Sequence, residues 1–334
     1  MGAALMKTLH LNLLLAAGLL ASLVASLFLG DARLTLGSLG DALAGSDDLP
    51  ALLMRELRLP RALLGLVVGA GLGGAGAVLQ GFFRNPLADP GVIGVSASAG
   101  LGAVAAMYFG AAALGVLVLP FAAVGAAGLG VTSLLLLAGP RASATTLILA
   151  GVAIGSIATA LTALLMNLAP NPWALAEIAY WLMGSLQDAS WTELRFAAPI
   201  VAAGLTLLAL TPRALDALSL GEESARSLGI DLARLRLIVI GGTALAVGGG
   251  VAVAGAIGFV GLVVPHLLRP LVGHRPGALI LPSMLGGAIL IELADLATRL
   301  ASGPGMPLYL GVLTALIGAP FFLWLVRTLP GRAV

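Results

Sequence analysis

Residues 61–82 read RALLGLVVGAGLGGAGAVLQGF, and this stretch decides the fold class. After Arg61 it carries no charge, and a helix of about 20 residues has a length of about 30 Å, which is the thickness of the hydrocarbon core of a bilayer. The whole chain shares this character, since 60% of its 334 residues are hydrophobic, 10% are charged and the mean hydropathy is +1.09. A soluble domain carries about 25% charged residues. The sequence therefore predicts an all-α, polytopic membrane protein in which residues 1–334 form one helix bundle.

Apolar runs of this kind recur along the chain and predict about ten transmembrane helices. The eighth run, at 258–271, is short, because its 14 residues cover only about 21 Å as a helix. We interpret the first run as a retained span and not as a cleaved signal peptide, since more spans follow it. The predicted spans are 11–30, 61–82, 92–109, 114–137, 145–167, 193–210, 236–254, 258–271, 278–301 and 308–327.

The distribution of basic residues decides whether the short eighth run crosses the membrane. Lys and Arg are favoured on the cytoplasmic side. With ten spans and both termini in the cytoplasm, eleven of the 17 basic residues lie inside; if 258–271 does not cross, eight lie inside and nine outside. Ten spans with cytoplasmic termini is therefore the predicted topology. It leaves six basic residues outside: Arg33, Arg55, Arg58, Arg61, Arg195 and Arg299.

Small residues spaced four apart predict close helix packing, because such faces let helix backbones approach each other in lipid. The sequence GLGGAG at 71–76 also matches the dinucleotide-binding pattern G-x-G-x-x-G. That motif needs a preceding strand and exposed amides at the start of a helix, so within a membrane span we interpret it as a packing motif. The four-spaced series are Gly65, Gly69 and Gly73; Gly94, Ser98 and Gly102; and Gly151 with Gly155.

The composition excludes several kinds of chemistry. The chain has no cysteine, and Lys7 is its only lysine, so it contains no phosphate-binding Gly-Lys-Ser/Thr sequence. His10, His266 and His274 are not at metal-ligand spacing, and no G-x-S-x-G nucleophile motif occurs. A net charge of +2 does not indicate a nucleic-acid partner. We therefore expect a subunit that is not an enzyme and binds no metal or cofactor, with any ATP and Mg²⁺ bound by another chain.

The sequence RELRLPR at 55–61 places three arginines at the outer end of the second span, against the charge bias. We interpret Arg55, Arg58 and Arg61 as a docking site for an acidic patch on an extracytoplasmic partner, through charge-assisted hydrogen bonds. The alternative is contact with lipid headgroups together with an internal pair to Glu56.

Three ionisable residues lie on one side of the ninth span near its outer end: Glu292, Asp295 and Arg299. Asp295 and Arg299 are four residues apart, so an ion pair is expected. A share in partner docking is the functional interpretation for Arg299. Trp173, Trp181 and Trp191 flank the outer loop between spans five and six, where an interfacial aromatic belt is the simplest interpretation.

The segment 214–231 is too polar to cross a membrane and lies inside by the predicted topology. We expect two short helices broken around Gly221, with Glu222, Glu223 and Arg226 on a solvated face.

Several blocks from residue 55 to the C-terminus resemble, in order and spacing, the iron-siderophore, cobalamin and haem permease family of type II ABC importers. The blocks are RLPR at 58–61, QGFFRNPLADPG at 80–91, LAGVA at 149–153, LSLGEESARSLG at 218–229, GAIGFVGLVVPH at 255–266, Ala294-Asp295 with Arg299, and GAPF at 318–321.

The resemblance implies a homodimer in the bacterial inner membrane, two cytoplasmic ATPase subunits and a periplasmic substrate-binding protein. It implies that Arg58, Arg61 and Arg299 dock the binding protein; Arg55 is added on charge alone. Residues matching the ATPase coupling helices, within about 213–232, are Leu218, Gly221, Glu222, Glu223, Arg226, Leu228 and Gly229. Residues resembling the cytoplasmic gate are Asn85, Ser143, Thr145, Thr146 and Leu147.

The cargo is the least determined feature of the sequence. The sequence LADPG at 87–91 resembles haem and cobalamin members more than siderophore members, and haem is the first expectation. Cobalamin and ferric siderophores remain open. An ion-coupled secondary transporter is an alternative of another class, and it would need a titratable centre near the midplane, for which Glu292 is the only candidate.

Overall fold

The computed structural model describes residues 2–30, 34–139, 142–303 and 307–328, and within these ranges the chain is built from helices. A π-helical turn at Leu53–Arg58 joins α3 to α4, and short 3-10 turns precede α5 and follow α13. The α-helices are α1 Gly2–Phe28, α2 Leu36–Leu43, α3 Leu49–Leu52, α4 Leu59–Phe82, α5 Val95–Tyr108, α6 Val118–Ala138, α7 Ala144–Asn167, α8 Pro172–Leu182, α9 Trp191–Ala209, α10 Pro212–Leu218, α11 Glu222–Ser227, α12 Leu232–Ala254, α13 Val260–Leu268, α14 Pro276–Ala301 and α15 Leu310–Thr328.

The predicted all-α, multi-span architecture is confirmed. Eight helical segments of the described chain are long and apolar enough to cross a bilayer, and two shorter apolar helices, Val95–Tyr108 and Val260–Val272, supply the third and eighth predicted spans. The third span is shorter than predicted. Gly94 has a left-handed backbone (φ 75°), which separates a 3-10 turn at Pro90–Ile93 from α5.

Helix α4 lies at the centre of the bundle, and its glycines explain why. Successive helical residues are about 100° apart, so Gly71, Gly73 and Gly76 point in three different directions. A Cβ on Gly71 would meet the carbonyl of Ala246 in α12; one on Gly73 would meet Ser283 in α14; and one on Gly76 would meet Gly261 in α13. The G-x-G-x-x-G sequence is therefore a packing motif, as predicted.

The four-spaced series Gly65, Gly69 and Gly73 runs along the contact between α4 and α14. At Gly69 the backbone of Gly287 and Ala288 is so close that a Cβ would overlap it. At Gly65, nearer the other end of the contact, a Cβ would lie 2.5 Å from Oε1 of Glu292. This confirms the predicted close packing. Helices α4 and α14 form a closely packed pair that runs through the bundle.

Helix α8 is absent from the predicted spans because it is too short to cross and lies in the loop assigned to an aromatic belt. Asn171 caps it, with its side chain accepting the backbone N–H of Ala174. Trp173, on α8, is 84% exposed, which suits an interfacial residue. Trp191 differs, since its indole N–H donates to the carbonyl of Arg55 at 2.9 Å and so ties the start of α9 to the π-helical turn.

Candidate functional site

Helix α14 defines two ends of the bundle. At its start, the backbone N–H of Gly277 and the guanidinium of Arg275 both donate to the carboxylate of Asp216 in α10, each at 2.8 Å. Asp295 and Arg299 lie in its last two turns. A helix of 26 residues is about 39 Å long. The predicted ATPase-coupling residues and the predicted docking arginines therefore lie at opposite ends, called here the coupling end and the arginine end.

Asp295 holds two of the predicted docking arginines. Nε and Nη2 of Arg61, in the first turn of α4, donate to its carboxylate at 2.8–3.1 Å. Nε of Arg299 lies 3.3 Å from the same carboxylate, as predicted for this i,i+4 pair. The side chains of Asp295, Arg299 and Arg61 are 3%, 10% and 15% exposed. This buried carboxylate compensates for positive charge that the topology rule disfavours on the side predicted to lie outside.

Arg58 and Arg299 also hold the end of α1. Nη1 of Arg58 donates to the carbonyl of Leu29 at 2.8 Å, and Nη2 of Arg299 donates to the carbonyl and the hydroxyl of Ser26, each at 3.0 Å. Gly30, with φ 138°, leaves room for the Arg58 guanidinium. Cationic side chains at the last carbonyls of a helix are stabilised by its dipole, so the two arginines act as caps for α1.

A cavity of about 300 Å³, called here the arginine cavity, brings these side chains together. It is lined by Leu57, Arg58, Arg61, Gln187, Arg299 and Ser302. The structure therefore assembles the three arginines that the family resemblance implied.

Arg55, which was added on charge alone, does not line the arginine cavity. Its guanidinium pairs with Glu56 at 2.9 Å and Asp47 at 3.5 Å. The internal pair with Glu56 that was weighed as an alternative thus exists for this arginine.

A second cavity at the arginine end, of about 580 Å³, is called here the aromatic cavity, and Gln187 lines both cavities. Tyr180 of α8 and Tyr309 stack against each other in its wall, with ring centroids 5.7 Å apart and planes within 12°. Its other notable lining residues are Trp173, Trp181, Glu177, Asp188 and Glu193. Sequence reasoning did not find this cavity, because its wall comes from separate parts of the chain.

The coupling segment, defined here as residues 212–231, forms the two predicted short helices. They meet at Gly221, whose φ of 106° is a conformation that favours glycine. Glu222 and Arg226 pair across one helical turn at 3.7 Å on an exposed face. Gly229, with φ 81°, ends α11. The coupling segment is therefore a helical hairpin with a solvated surface.

The leucines of the coupling segment fall into two groups. Leu218 is 3% exposed and packs in the main core, so it anchors the segment and is not available to a partner in this arrangement. Leu228 is 63% exposed, and Leu220, which the sequence analysis did not select, is 69% exposed. These exposed apolar side chains are the available contact points.

Two of the predicted gate residues, Asn85 and Ser143, accept local backbone hydrogen bonds, and one of them caps a helix. Oδ1 of Asn85, in the loop after α4, accepts the N–H of Leu87 at 2.9 Å. Oγ of Ser143 caps α7 by accepting the N–H of Thr146 at 3.1 Å. Thr145 is exposed and Leu147 is buried. Ser143, Leu147 and the end of α4, at Phe82, face a shared cavity of about 580 Å³, called here the coupling-end cavity.

Asp89 ends the loop that contains Asn85. Its carboxylate accepts the N–H of Gly91 at 2.8 Å and caps the 3-10 turn. Burial raises the pKa of the Asp89 carboxyl above its usual value, and the hydrogen bond from Gly91 opposes that effect.

A family model described as the FecCD transport family matches residues 18–328. The chain belongs to this family. Among similar FecCD-type proteins, the cobalamin import system permease protein BtuC of Halobacterium salinarum is 39% identical over 295 residues, which cover 87% of this chain and 77% of that protein. The Fe(3+)-citrate import system permease protein YfmE of Bacillus subtilis is 37% identical over 316 residues, 94% of each chain. The vitamin B12 import system permease protein BtuC of Klebsiella pneumoniae is 40% identical over 279 residues, 83% of each.

The FecCD fold is also found among solved structures. An inward-facing conformation of a metal-chelate type ABC transporter matches with a TM-score of 0.85 and 34% identity, over 95% of this chain and 99% of that chain. PsaBC of Streptococcus pneumoniae in complex with Fab, at 18% identity and a TM-score of 0.51, shares the fold alone. With its apolar spans, this FecCD member is a multi-pass inner-membrane protein.

Proposed function

We propose that this chain is the permease subunit of an ATP-driven importer of metal chelates. The observation that carries the proposal is the convergence of Arg58, Arg61 and Arg299 on one cavity, at the end of the bundle opposite the coupling segment. Membership of the FecCD family and similarity to import permeases support it. Because the sequence has no phosphate-binding loop, ATP and Mg²⁺ belong to a partner subunit.

The working assembly is a homodimer of this chain with two cytoplasmic ATPases and a periplasmic binding protein. The loaded binding protein places carboxylates against the arginine cavity, where bidentate pairs with guanidinium groups fix its orientation. Cargo passes between the two permease copies by alternating access. ATP binding and hydrolysis move the coupling segment, and that movement changes the gate around Asn85 and residues 143–147.

The test is uptake into proteoliposomes that contain the full complex, with the binding protein outside and ATP inside. We expect uptake to require hydrolysable ATP and to persist when proton and sodium gradients are collapsed. An ion-coupled transporter gives the opposite pattern, with uptake that survives without ATP and stops with the gradients. That result would overturn the proposal.

Haem is the first expectation for the cargo, with cobalamin and ferric siderophores as the alternatives. The loop sequence at 87–91 resembles haem and cobalamin members more than siderophore members, so it does not separate haem from cobalamin. The aromatic cavity favours cobalamin, because Glu177, Asp188 and Glu193 in its wall repel the propionates of haem more than they repel a chelate without net negative charge. Two of the similar permeases named above carry cobalamin or vitamin B12 in their names.

Competition between the two cargoes decides between the candidates. Radiolabelled cobalamin and haem are offered separately and together, with ferric citrate as the anionic reference. Uptake of cobalamin alone would support the charge argument, whereas ATP-dependent uptake of haem in preference to cobalamin would contradict it. Glu177→Gln with Asp188→Asn should raise the relative uptake of anionic chelates if the acidic wall acts on cargo.

A further inference from the structure

The side chain of Arg236, in α12, reaches the loop that precedes α7. It lies in the second turn of α12 and is half-buried. Its Nη1 donates to the carbonyl of Gly139 at 3.2 Å, and its Nη2 donates to the carbonyl of Ala142. Ala142 directly precedes Ser143, the cap of α7 and the first of the predicted gate residues in this loop. A single guanidinium therefore holds both sides of the loop that leads into the gate.

The other end of this connection is the coupling segment. Its last residue, Asp231, caps α12 by accepting the backbone N–H groups of Ala233 and Arg234 at 2.9 and 3.1 Å. The N–H of Ile230 donates to the carbonyl of Ala225 in α11 at 3.0 Å. These bonds tie the short connection at 228–231 to both helices, so a displacement of α11 acts on the first turns of α12, where Arg236 lies.

The coupling-end cavity shows how close the two regions lie. Leu218, Glu222 and Arg226 line it from the coupling segment, and Ser143 and Leu147 line it from the gate. Leu218 and Leu147 also belong to one buried apolar cluster. Arg236 lines the same cavity and adds directional hydrogen bonds from α12 to the loop before the gate, which apolar packing does not supply.

We propose that Arg236 is a positioning residue that transmits movement of the coupling segment to the gate loop. The proposal rests on the import function proposed above. A planar guanidinium can hold two carbonyls at once with fixed geometry, whereas a lysine ammonium is a flexible point donor. Removal of the guanidinium should therefore separate ATP hydrolysis from movement of the gate, and lysine should restore the link only in part.

The test uses the complete complex with Arg236→Gln and Arg236→Lys. Arg234→Gln is the matched control, because it removes the same charge from an exposed position two residues away. Transport per ATP hydrolysed is measured in proteoliposomes. Coupling between two sites in a protein typically changes an equilibrium constant about 5- to 150-fold. We therefore expect Arg236→Gln to lower the transport per ATP about fivefold or more. Arg236→Lys should give a value between those of Arg236→Gln and the wild type, and Arg234→Gln should match the wild type.

A second measurement follows the gate itself. The chain has no cysteine, so Thr145→Cys, at an exposed gate position, introduces the only thiol of this chain, and the maleimide labelling rate of the permease band reports gate exposure. In the wild-type background the rate should change with ATP, and in Arg236→Gln it should not. A merely structural role would lower stability without removing this ATP response.

Three results of these experiments would overturn the role of Arg236. Wild-type transport per ATP in Arg236→Gln, or an equal loss in Arg234→Gln, would overturn it. If Arg236→Gln does not assemble, the ATP response of Thr145→Cys labelling is measured in Arg236→Lys instead, and an unchanged response there would also overturn it. Failure of the wild-type complex to transport with ATP would instead contradict the import function.

Discussion

At the arginine end, Arg61 and Arg299 share the carboxylate of Asp295, and arginines also hold the last carbonyls of α1. At the coupling end, α11 contains a pair between near neighbours, and α10 is tied to the start of α14 through Asp216. Arg61 and Asp295 are 234 residues apart in the sequence, whereas Glu222 and Arg226 are one turn apart. The cluster around Asp295 is buried, whereas the pair Glu222–Arg226 is exposed and only the inner face of the coupling segment is anchored in the core, by Leu218. The difference indicates that the arginine end is a preformed site, while the coupling end presents a solvated surface.

A preformed arginine site has a consequence for docking. Arg61 and Arg299 already use part of their hydrogen-bonding capacity on Asp295. A partner carboxylate therefore meets guanidinium groups that are fixed in orientation, which lowers the entropy lost on binding. It also meets less net positive charge than three free arginines would present. Specific orientation, more than long-range attraction, is what this arrangement favours.

The largest expected effect comes from Asp295→Ala. Removing one partner of a buried ion pair costs about 3–5 kcal/mol, and here the change leaves two partly buried arginines without their shared carboxylate. We expect a large fall in the thermal stability of the purified subunit. Asp47→Ala is the control, since this carboxylate is 88% exposed and its ion pair is with Arg55 at the surface. Equal melting of the two variants would show that the arginine end is not preformed.

A smaller loss of stability is expected from a change in the contact between α4 and α14. Gly73→Ala adds a methyl group against the Ser283 backbone, and overpacking of this kind costs about 1–3 kcal/mol. Gly128→Ala in α6 is the control, because nothing lies within 4 Å of its Cβ position. The thermal stability of both variants is measured in the same detergent. If Gly73→Ala is as stable as Gly128→Ala, then α4 and α14 are not held by backbone contact.

Gly221→Pro is expected to have the smallest effect on the stability of the subunit itself. It should nevertheless abolish assembly of the subunit with its ATPase. Proline cannot adopt φ 106° and removes the N–H that donates to the carbonyl of Leu218. The variant should insert normally but fail to co-purify with its ATPase.

Gly110→Pro is the matched control for that experiment. Gly110 also has a positive φ, of 70°, and nothing near its Cβ position, but it lies in the loop after α5. It should keep the ATPase. A stable, active complex with Gly221→Pro would show that residues 212–231 are not the coupling element.

The contrast between the two ends also explains what the sequence could predict. The two helices of the coupling segment were predicted almost completely, because Gly221 and the i,i+4 charges act locally. The glycine faces of α4 were predicted for the same reason. The partnership of Arg61 with Asp295 was not, since nothing in a helical repeat shows which distant span will pack alongside. The break at Gly94, the aromatic cavity and the Arg236 contacts depend likewise on tertiary packing.

Arg61 is a poor position for testing docking, because a glutamate there would face the carboxylate of Asp295 inside the protein. Arg58 is better, since it lines the arginine cavity and donates a hydrogen bond to the carbonyl of Leu29. Arg55, which lies outside the cavity in the same π-helical turn, is the matched control.

Docking at the arginine cavity is tested most directly by the stimulation of ATP hydrolysis by the loaded binding protein, measured for the reconstituted complex with Arg58→Glu and with Arg55→Glu. Like charges facing each other across an interface can cost several kcal/mol. We therefore expect Arg58→Glu to abolish stimulation, a binding protein with the facing carboxylate changed to lysine to restore it, and Arg55→Glu to retain most of it. Wild-type stimulation in Arg58→Glu, or equal losses in the two variants, would contradict docking at the arginine cavity.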